Sequence, residues 1–266
     1  MASFELDGKV AIVTGGVSGI GLTYVRQLLE NGVKGVTLAD ITPNQEVVKE
    51  LEDKYGANRV TFVKTDVTDY KQFEEAFKHT VDKFKNVDVL INNAGIIDES
   101  EETWTKSVEV NVIGVLNGIL LGLEHYLPKY KSGQEGLIVN TSSTAGIQSI
   151  PQCPIYSATK FAVVGATLSF GHQAHYDRQG VRVVAICPNA TDTPIFNCYR
   201  GYNQRYGVVN KGKPKIWNLQ TLDQIAPGLL KVIQKAPNGT IWVLEHGEPP
   251  YQYVLPDRAV VPKVYL

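Results

Sequence analysis

Short runs of branched apolar residues recur along the chain, each followed by a longer stretch with helical periodicity. The runs lie at 10–14, 36–40, 61–65, 89–92, 137–141, 183–186 and 240–244. Most are apolar almost throughout, as strands covered on both faces must be. Between them, residues 21–30, 45–55, 71–84, 108–127, 158–176 and 222–234 carry amphipathic patterns. Strands joined by helices run parallel, with right-handed crossovers, so strict alternation leaves few topologies. The expected fold is α/β: a doubly wound, seven-stranded parallel sheet with helices on both faces. No repeat or linker divides the 266 residues, which suit one large domain over 1–247.

Two segments break the rhythm. Residues 194–217 hold several aromatics and five basic residues but no acidic one, and long irregular segments of this kind serve as lids or binding loops. A substrate lid is expected there. The tail, 248–266, carries four prolines and so cannot form a regular helix, yet Tyr251, Tyr253, Val254 and Leu255 are too apolar for a solvated end. It is expected to dock on its own domain or on a partner subunit.

A net charge of −1 gives no bias toward nucleic acid or anionic membrane. Residues 1–9 lack the basic and apolar regions of a secretory signal, and no apolar run reaches the length of a membrane span. Cys153, Cys187 and Cys198 form no paired framework. The expected setting is cytoplasmic, without nucleic-acid or membrane partners. Three Asn-x-Thr/Ser matches, at Asn140, Asn189 and Asn238, are then coincidental.

Directly after the first strand stands Thr14-Gly15-Gly16-Val17-Ser18-Gly19-Ile20-Gly21, running into a helix. Glycines there permit a tight turn and a close approach of backbone to pyrophosphate, and the helix start offers free N–H groups to the phosphates. Nineteen residues after Gly21, Asp40 ends the second strand, placed to accept from ribose hydroxyls. The competing role, a helix cap, is expected to fall to a capping box over Thr42-Pro43-Asn44-Gln45. A 2′-phosphate would be repelled by Asp40, so NAD is expected over NADP. Asp66 ends the third strand and suits an adenine contact or a cap, with Thr68 and Asp69 nearer to the next helix. In Asn92-Asn93-Ala94-Gly95, Gly95 suits close backbone approach and Asn93 can brace neighbouring strands.

Tyr156 and Lys160 lie four residues apart, on nearly one face of a helix, with Ser143 thirteen residues upstream of the tyrosine. A nearby ammonium favours a phenolate, so the Tyr156 pKa is expected to fall toward working pH. Such a phenol exchanges protons with an alcohol or carbonyl, while a serine hydroxyl holds the same oxygen.

In order, the glycine turn, Asp66-Val67, Asn92-Asn-Ala-Gly95, Asn111, Ser143, Tyr156-Ser-Ala-Thr-Lys160 and Cys187-Pro188 resemble the short-chain dehydrogenase/reductase family over about 9–247. Asp40, the turn before Leu137 and Asn238-Gly-Thr-Ile-Trp242 resemble the branch of 15-hydroxyprostaglandin dehydrogenase and the fruit-fly type of insect alcohol dehydrogenase. The resemblance implies a single-domain Rossmann fold and an NAD-dependent alcohol dehydrogenase. It implies Tyr156 as general acid/base, Lys160 lowering its pKa and holding the nicotinamide ribose, and Ser143 orienting the substrate oxygen. Asn111 would hold a water leading from Lys160 to solvent. Gly15, Ser18, Gly19, Ile20, Asp40, Asp66, Val67, Asn93 and Gly95 would bind cofactor, with Pro188, Thr191 and Thr193 at the nicotinamide end. The family commonly has Gly after the proline of Cys187-Pro188; here Asn189 stands there, and Asn tolerates left-handed backbone.

For substrate, the candidates beside Ser143 and Tyr156 are Gln148, Ile150, Gln152 and Cys153. Arg200 and Arg205 in the lid would suit a carboxylate on an apolar secondary alcohol or ketone. His172 and His175, one helical turn apart, lack a third ligand, so no metal is expected. Residues 108–127 and 158–176 carry apolar surface beyond what one sheet face covers, and the resemblance implies that these helices build a homodimer. The other readings are an NADPH carbonyl reductase, which Asp40 opposes, and a catalytically idle dinucleotide-binding or storage-like relative, which need not keep Asn111, Ser143, Tyr156 and Lys160 together.

Overall fold

The computed structural model describes residues 3–198, 218–256 and 259–260. In chain order its elements are β1 (Val10–Thr14), α1 (Gly19–Glu30), β2 (Gly35–Asp40), α2 (Gln45–Tyr55), β3 (Val60–Lys64), α3 (Tyr70–Phe84) and β4 (Val89–Asn92). A long helix α4 (Thr105–Tyr130) follows, then β5 (Gly136–Thr141), α5 (Pro154–Phe170), α6 (Gln173–Gln179), β6 (Val181–Pro188), α7 (Leu222–Lys235), β7 (Ile241–Leu244) and β8 (Tyr251–Tyr253). The lid expected at 194–217 is described only as a short 3₁₀ turn at Pro194–Cys198; Arg200 and Arg205 lie outside the described residues.

The strands form one sheet in the order β3-β2-β1-β4-β5-β6-β7-β8. Every pairing from β3 to β7 is parallel, and the order reverses direction between β1 and β4. The sheet has eight strands, not seven, because the tail returns along the edge and pairs β8 antiparallel to β7. The return is made at His246 and Gly247, with φ of 49° and 78°. Three residues behind two prolines are too short a run to register as a strand by periodicity alone.

Alternation along each strand divides the core between two faces. Ala11 and Val13 join α1 and α7 residues such as Leu28, Leu229 and Ile233. Ile12, between them, joins Phe77, Ile119, Leu123 and Val163 from α3, α4 and α5. Against expectation, α4 is long and apolar enough to cross a membrane, with an 18-residue window of mean hydropathy 1.4. Its apolarity reflects packing, since half of that window is buried. Gly118 permits the approach: a Cβ there would stand 2.1 Å from Asn92 Oδ1 on β4.

The helix expected at 158–176 is two. Gly171 packs so closely on Gly239 that a Cβ would lie 2.5 Å from its Cα, and His172 turns extended to start α6. His172 Nδ1 accepts from the Ala174 N–H at 3.2 Å, which is a cap and not a ligand arrangement. Among the described residues no cluster suited to a metal occurs.

Candidate active site

A cavity of about 620 Å³ opens where the order of strands reverses, lined by residues at the C-terminal ends of β1, β2, β4, β5 and β6. That is where open α/β sheets bind ligands. At one end is the glycine turn, with Gly15 and Gly19 left-handed at φ 64° and 51°. A Cβ on Gly21 would stand 2.1 Å from the Gly15 carbonyl oxygen, so α1 enters its first turn only as glycine allows. Ser18 gives α1 no side-chain cap, and Ser18, Gly19 and Ile20 line the cavity. First-turn N–H groups without a side-chain acceptor, beside a cavity, fit a phosphate-bearing cofactor.

Asp40 lines the same cavity, and burial there holds its carboxyl above the ordinary aspartate value, opposed by backbone N–H groups of Thr42, Val17 and Ile41. The expected capping box does not form: α2 begins at Gln45, and Asn44 caps it by accepting from Val47 N–H at 3.2 Å. Asp40 instead accepts from Thr42 N–H at 3.1 Å, so the conclusion that it caps no helix stands on different contacts. Asp66 accepts from the Thr68 N–H and hydroxyl at 2.9 and 2.7 Å, while Asp69 caps α3. Asp66 and Val67 both line the cavity. Asn93 also lines it, but its Nδ2 donates to Thr14 O at 2.9 Å and so ties β4 to the glycine turn. Gly95 borders the cavity 3.5 Å, measured from an added Cβ, from the Lys160 ammonium.

At the other end, Tyr156 and Lys160 occupy the first two turns of α5. Ser143 lines the cavity with Tyr156, and its hydroxyl accepts from Ala145 N–H at 3.1 Å. Lys160 Nζ lies 5.5 Å from the centre of the Tyr156 ring and donates to Thr141 O at 2.9 Å. Here the electrostatics depart from expectation. Burial pushes the phenol above its ordinary value, the Ser143 hydroxyl opposing it, and pushes the Lys160 ammonium down to about 8. The ammonium lies over the ring and donates to a carbonyl, and desolvation governs both groups.

Asn111 lies in a π-helical turn of α4, Glu109–Ile113, a distortion frequent at functional sites. Its Oδ1 accepts from Ile96 N–H at 2.9 Å, and its Nδ2 donates to Ile96 O at 2.9 Å and Thr159 Oγ1 at 3.1 Å. The side chain thus clamps the loop after β4 to α5, so the expected water role does not fall to its amide hydrogens.

Pro188, Thr191 and Thr193 line the cavity, Thr193 packed against Gly19. The Thr191 hydroxyl donates to Asn189 O and accepts from Gln220 Nε2, at 2.8 and 3.0 Å. Asn189 does not use left-handed backbone; among described non-glycine residues only Lys85 and His246 have positive φ. Gln148, Ile150 and Cys153 line the cavity and Gln152 does not. Around Tyr156 the wall is apolar, built from Ile97, Ala145, Cys153 and Phe196. Burial drives the Cys153 and Cys187 thiols up to about 12, which leaves both as packing groups.

Sequence reading missed Glu99, whose carboxylate accepts from the N–H groups of Ile155 and Tyr156 at 3.0 and 2.7 Å. It missed Gln220, 1% exposed, which holds Asn189, Thr191, Leu244 and His246 together. Neither carries a local signal, because each acts on segments distant in the chain.

A family model described as short chain dehydrogenase matches residues 9–201. The chain is 35% identical over 245 residues to 15-hydroxyprostaglandin dehydrogenase (NAD+) of Mus musculus, covering 89% of this chain and 90% of the relative. It is 31% identical over 244 residues to alcohol dehydrogenase 1 of Ceratitis cosyra, covering 91% and 94%. Among solved structures, a short chain dehydrogenase/reductase from Burkholderia phymatum in complex with NAD matches with a TM-score of 0.71 and 26% identity, covering 86% and 87%.

Proposed function

The chain belongs to the short-chain dehydrogenase family, and we propose that it is an NAD-dependent dehydrogenase of a secondary alcohol, apolar around the reacting carbon. The observation that carries this reading is a single cavity lined by Ser143, Tyr156 and Lys160, the last two one helical turn apart, together with Asp40 and the glycine turn. The substrate oxygen is held between the Ser143 hydroxyl and Tyr156 Oη, and Tyr156 exchanges its proton. Lys160 supplies a buried positive charge beneath the tyrosine ring. Gly15, Ser18, Gly19 and Ile20 hold the pyrophosphate, Asp40 the adenosine ribose, and Thr193 the nicotinamide end. NAD, when bound, supplies the hydride acceptor and a positive charge. The apolar wall of Ile97, Ile150 and Phe196 selects a hydrocarbon surround for the alcohol carbon.

Reduction of NAD by a panel of fatty, terpenoid, steroid and eicosanoid alcohols, followed by absorbance of the reduced nicotinamide, tests the reading. Tight NAD binding with no turnover of any alcohol would favour the idle relative instead.

The carbonyl-reductase reading needs NADPH, and Asp40 opposes it. Replacing Asp40 with Ser is expected to shift the NAD-to-NADP ratio of kcat/KM by about 10²-fold toward NADP, through loss of the ribose acceptor and of the repulsion. An unchanged ratio would remove Asp40 from the cofactor site.

We extend the proposal to a homodimer built on α4 and α5. Ile113 and Leu120 on α4 and Phe161 on α5 are 44%, 40% and 45% exposed, unusual for large apolar residues on adjoining helices. Phe161→Asp is expected to halve the mass by light scattering at micromolar concentration with melting temperature maintained; a wild-type monomer would rule out this interface.

A further inference from the structure

The start of α5 is capped from another part of the chain. Cys153, at the cap position, makes no side-chain cap bond and faces the cavity. Pro154 has no N–H to offer. The next two donors, Ile155 and Tyr156, are both taken by the Glu99 carboxylate, at 3.0 and 2.7 Å, from a loop more than fifty residues earlier.

Glu99 is 5% exposed, and no ion pair among the described residues includes it. Burial raises its carboxyl pKa, while the two backbone N–H bonds oppose the rise. Keeping a carboxylate there costs desolvation that a neutral Ser cap at position 153 would avoid. A capping side chain at 153 would, however, turn back onto the helix and give up its place in the cavity wall. Supplying the anion from outside lets position 153 face the substrate while the helix end keeps two charge-assisted bonds and a negative charge at its positive pole.

The loop bearing Glu99 is itself anchored on both sides. Asn111 holds Ile96 by both backbone groups. The Asp98 carboxylate accepts from the Ser100 N–H and from the Ser100 and Thr103 hydroxyls, and the Ser107 hydroxyl bonds Asp98 N–H and O. Asn111 reaches α5 again at Thr159. The turn that carries Tyr156 is therefore held before and after the tyrosine, by Glu99 and Asn111, and the same loop sets Ile97 in the cavity wall.

From this arrangement we propose that Glu99 is a positioning residue for the reaction, fixing the first turn of α5 so that the Tyr156 hydroxyl meets both Ser143 and the substrate oxygen. The inference rests on the hydride-transfer reading above. It predicts that loss of the carboxylate displaces the tyrosine without disturbing the cofactor end of the cavity.

The test uses full-length protein, NAD and 2-octanol as the probe alcohol, with Glu99→Ala and Glu99→Gln. Glu99→Ala is expected to lower kcat by about 10²-fold, the scale of a misplacement near 1 Å, with KM for NAD within about twofold of wild type. Amide exchange at 155 and 156 should accelerate by about tenfold or more, since both donors lose their acceptor. Glu99→Gln keeps one acceptor oxygen and should recover about tenfold of the loss, and it serves where the alanine variant does not fold. An active wild type with kcat per NAD site undiminished in both variants, or kcat and KM for NAD moving together, would overturn the inference. An inactive wild type with accelerated exchange in Glu99→Ala would sink hydride transfer while leaving the clamp in place.

Discussion

Tyr156→Phe is expected to lower kcat by about 10³-fold, with NAD affinity retained. Acid/base catalysis by a placed side chain contributes about 10²–10⁴-fold, and the phenol shares the cavity with Ser143 at the start of α5. The change removes one oxygen and leaves the ring, which packs with Ile97, Ala145, Cys153 and Phe196. The neighbouring Ser143 hydroxyl keeps its bond, accepting from Ala145 N–H. Stability should therefore change by less than about 1 kcal/mol. Fold and cofactor binding then serve as internal controls, read by melting temperature and by titration with NAD. Turnover surviving in a folded, NAD-binding variant would remove Tyr156 from the chemistry.

Lys160→Met should abolish turnover to a similar degree and yet make the protein more stable at pH 7. The wild-type ammonium is 3% exposed and pushed by burial from 10.5 down to about 8. Between those values the unfolded chain binds more protons than the folded one, so wild-type stability rises with pH across that window. Below pH 8 both states carry the charge, and burying it costs about 3 kcal/mol. Methionine avoids that cost at similar volume, but forfeits the bond to Thr141 O, worth about 1 kcal/mol. The net gain of about 2 kcal/mol corresponds to a melting temperature higher by about 4–8 °C at pH 7, narrowing as pH approaches 10. A variant melting below wild type at pH 7 would show that Lys160 is not strained by burial. This trade of stability for chemistry is common where a charge must sit in a dry site.

Much of the fold was legible because its causes are local. Continuous apolar runs marked β1, β4 and β5, and glycines at 15, 19 and 21 marked the tight turn into α1. The Tyr156–Lys160 spacing put both on one helix face, and the helix was there. Less visible were features that depend on groups remote in the chain. One local feature was missed as well: the cap of α2 is Asn44, because the helix starts at Gln45, later than the Thr-Pro pair suggested. β8 has three residues and exists because β7 offers it an edge.

The sequence by itself determined the alternation of strands and helices from β1 to β7, the glycine turn with Asp40 at the cavity, and the gathering of Ser143, Tyr156 and Lys160 beside it. Periodicity and spacing act within a few residues, so those statements need no knowledge of distant neighbours. Only the tertiary structure decided the electrostatic state of that group, its clamp by Glu99 and Asn111, and the exclusion of Gln152 from the cavity wall. Burial set the first and last of these, and hydrogen bonds between segments more than forty residues apart set the clamp. A carboxylate at position 99 acquires its meaning when the fold brings it to the first turn of α5.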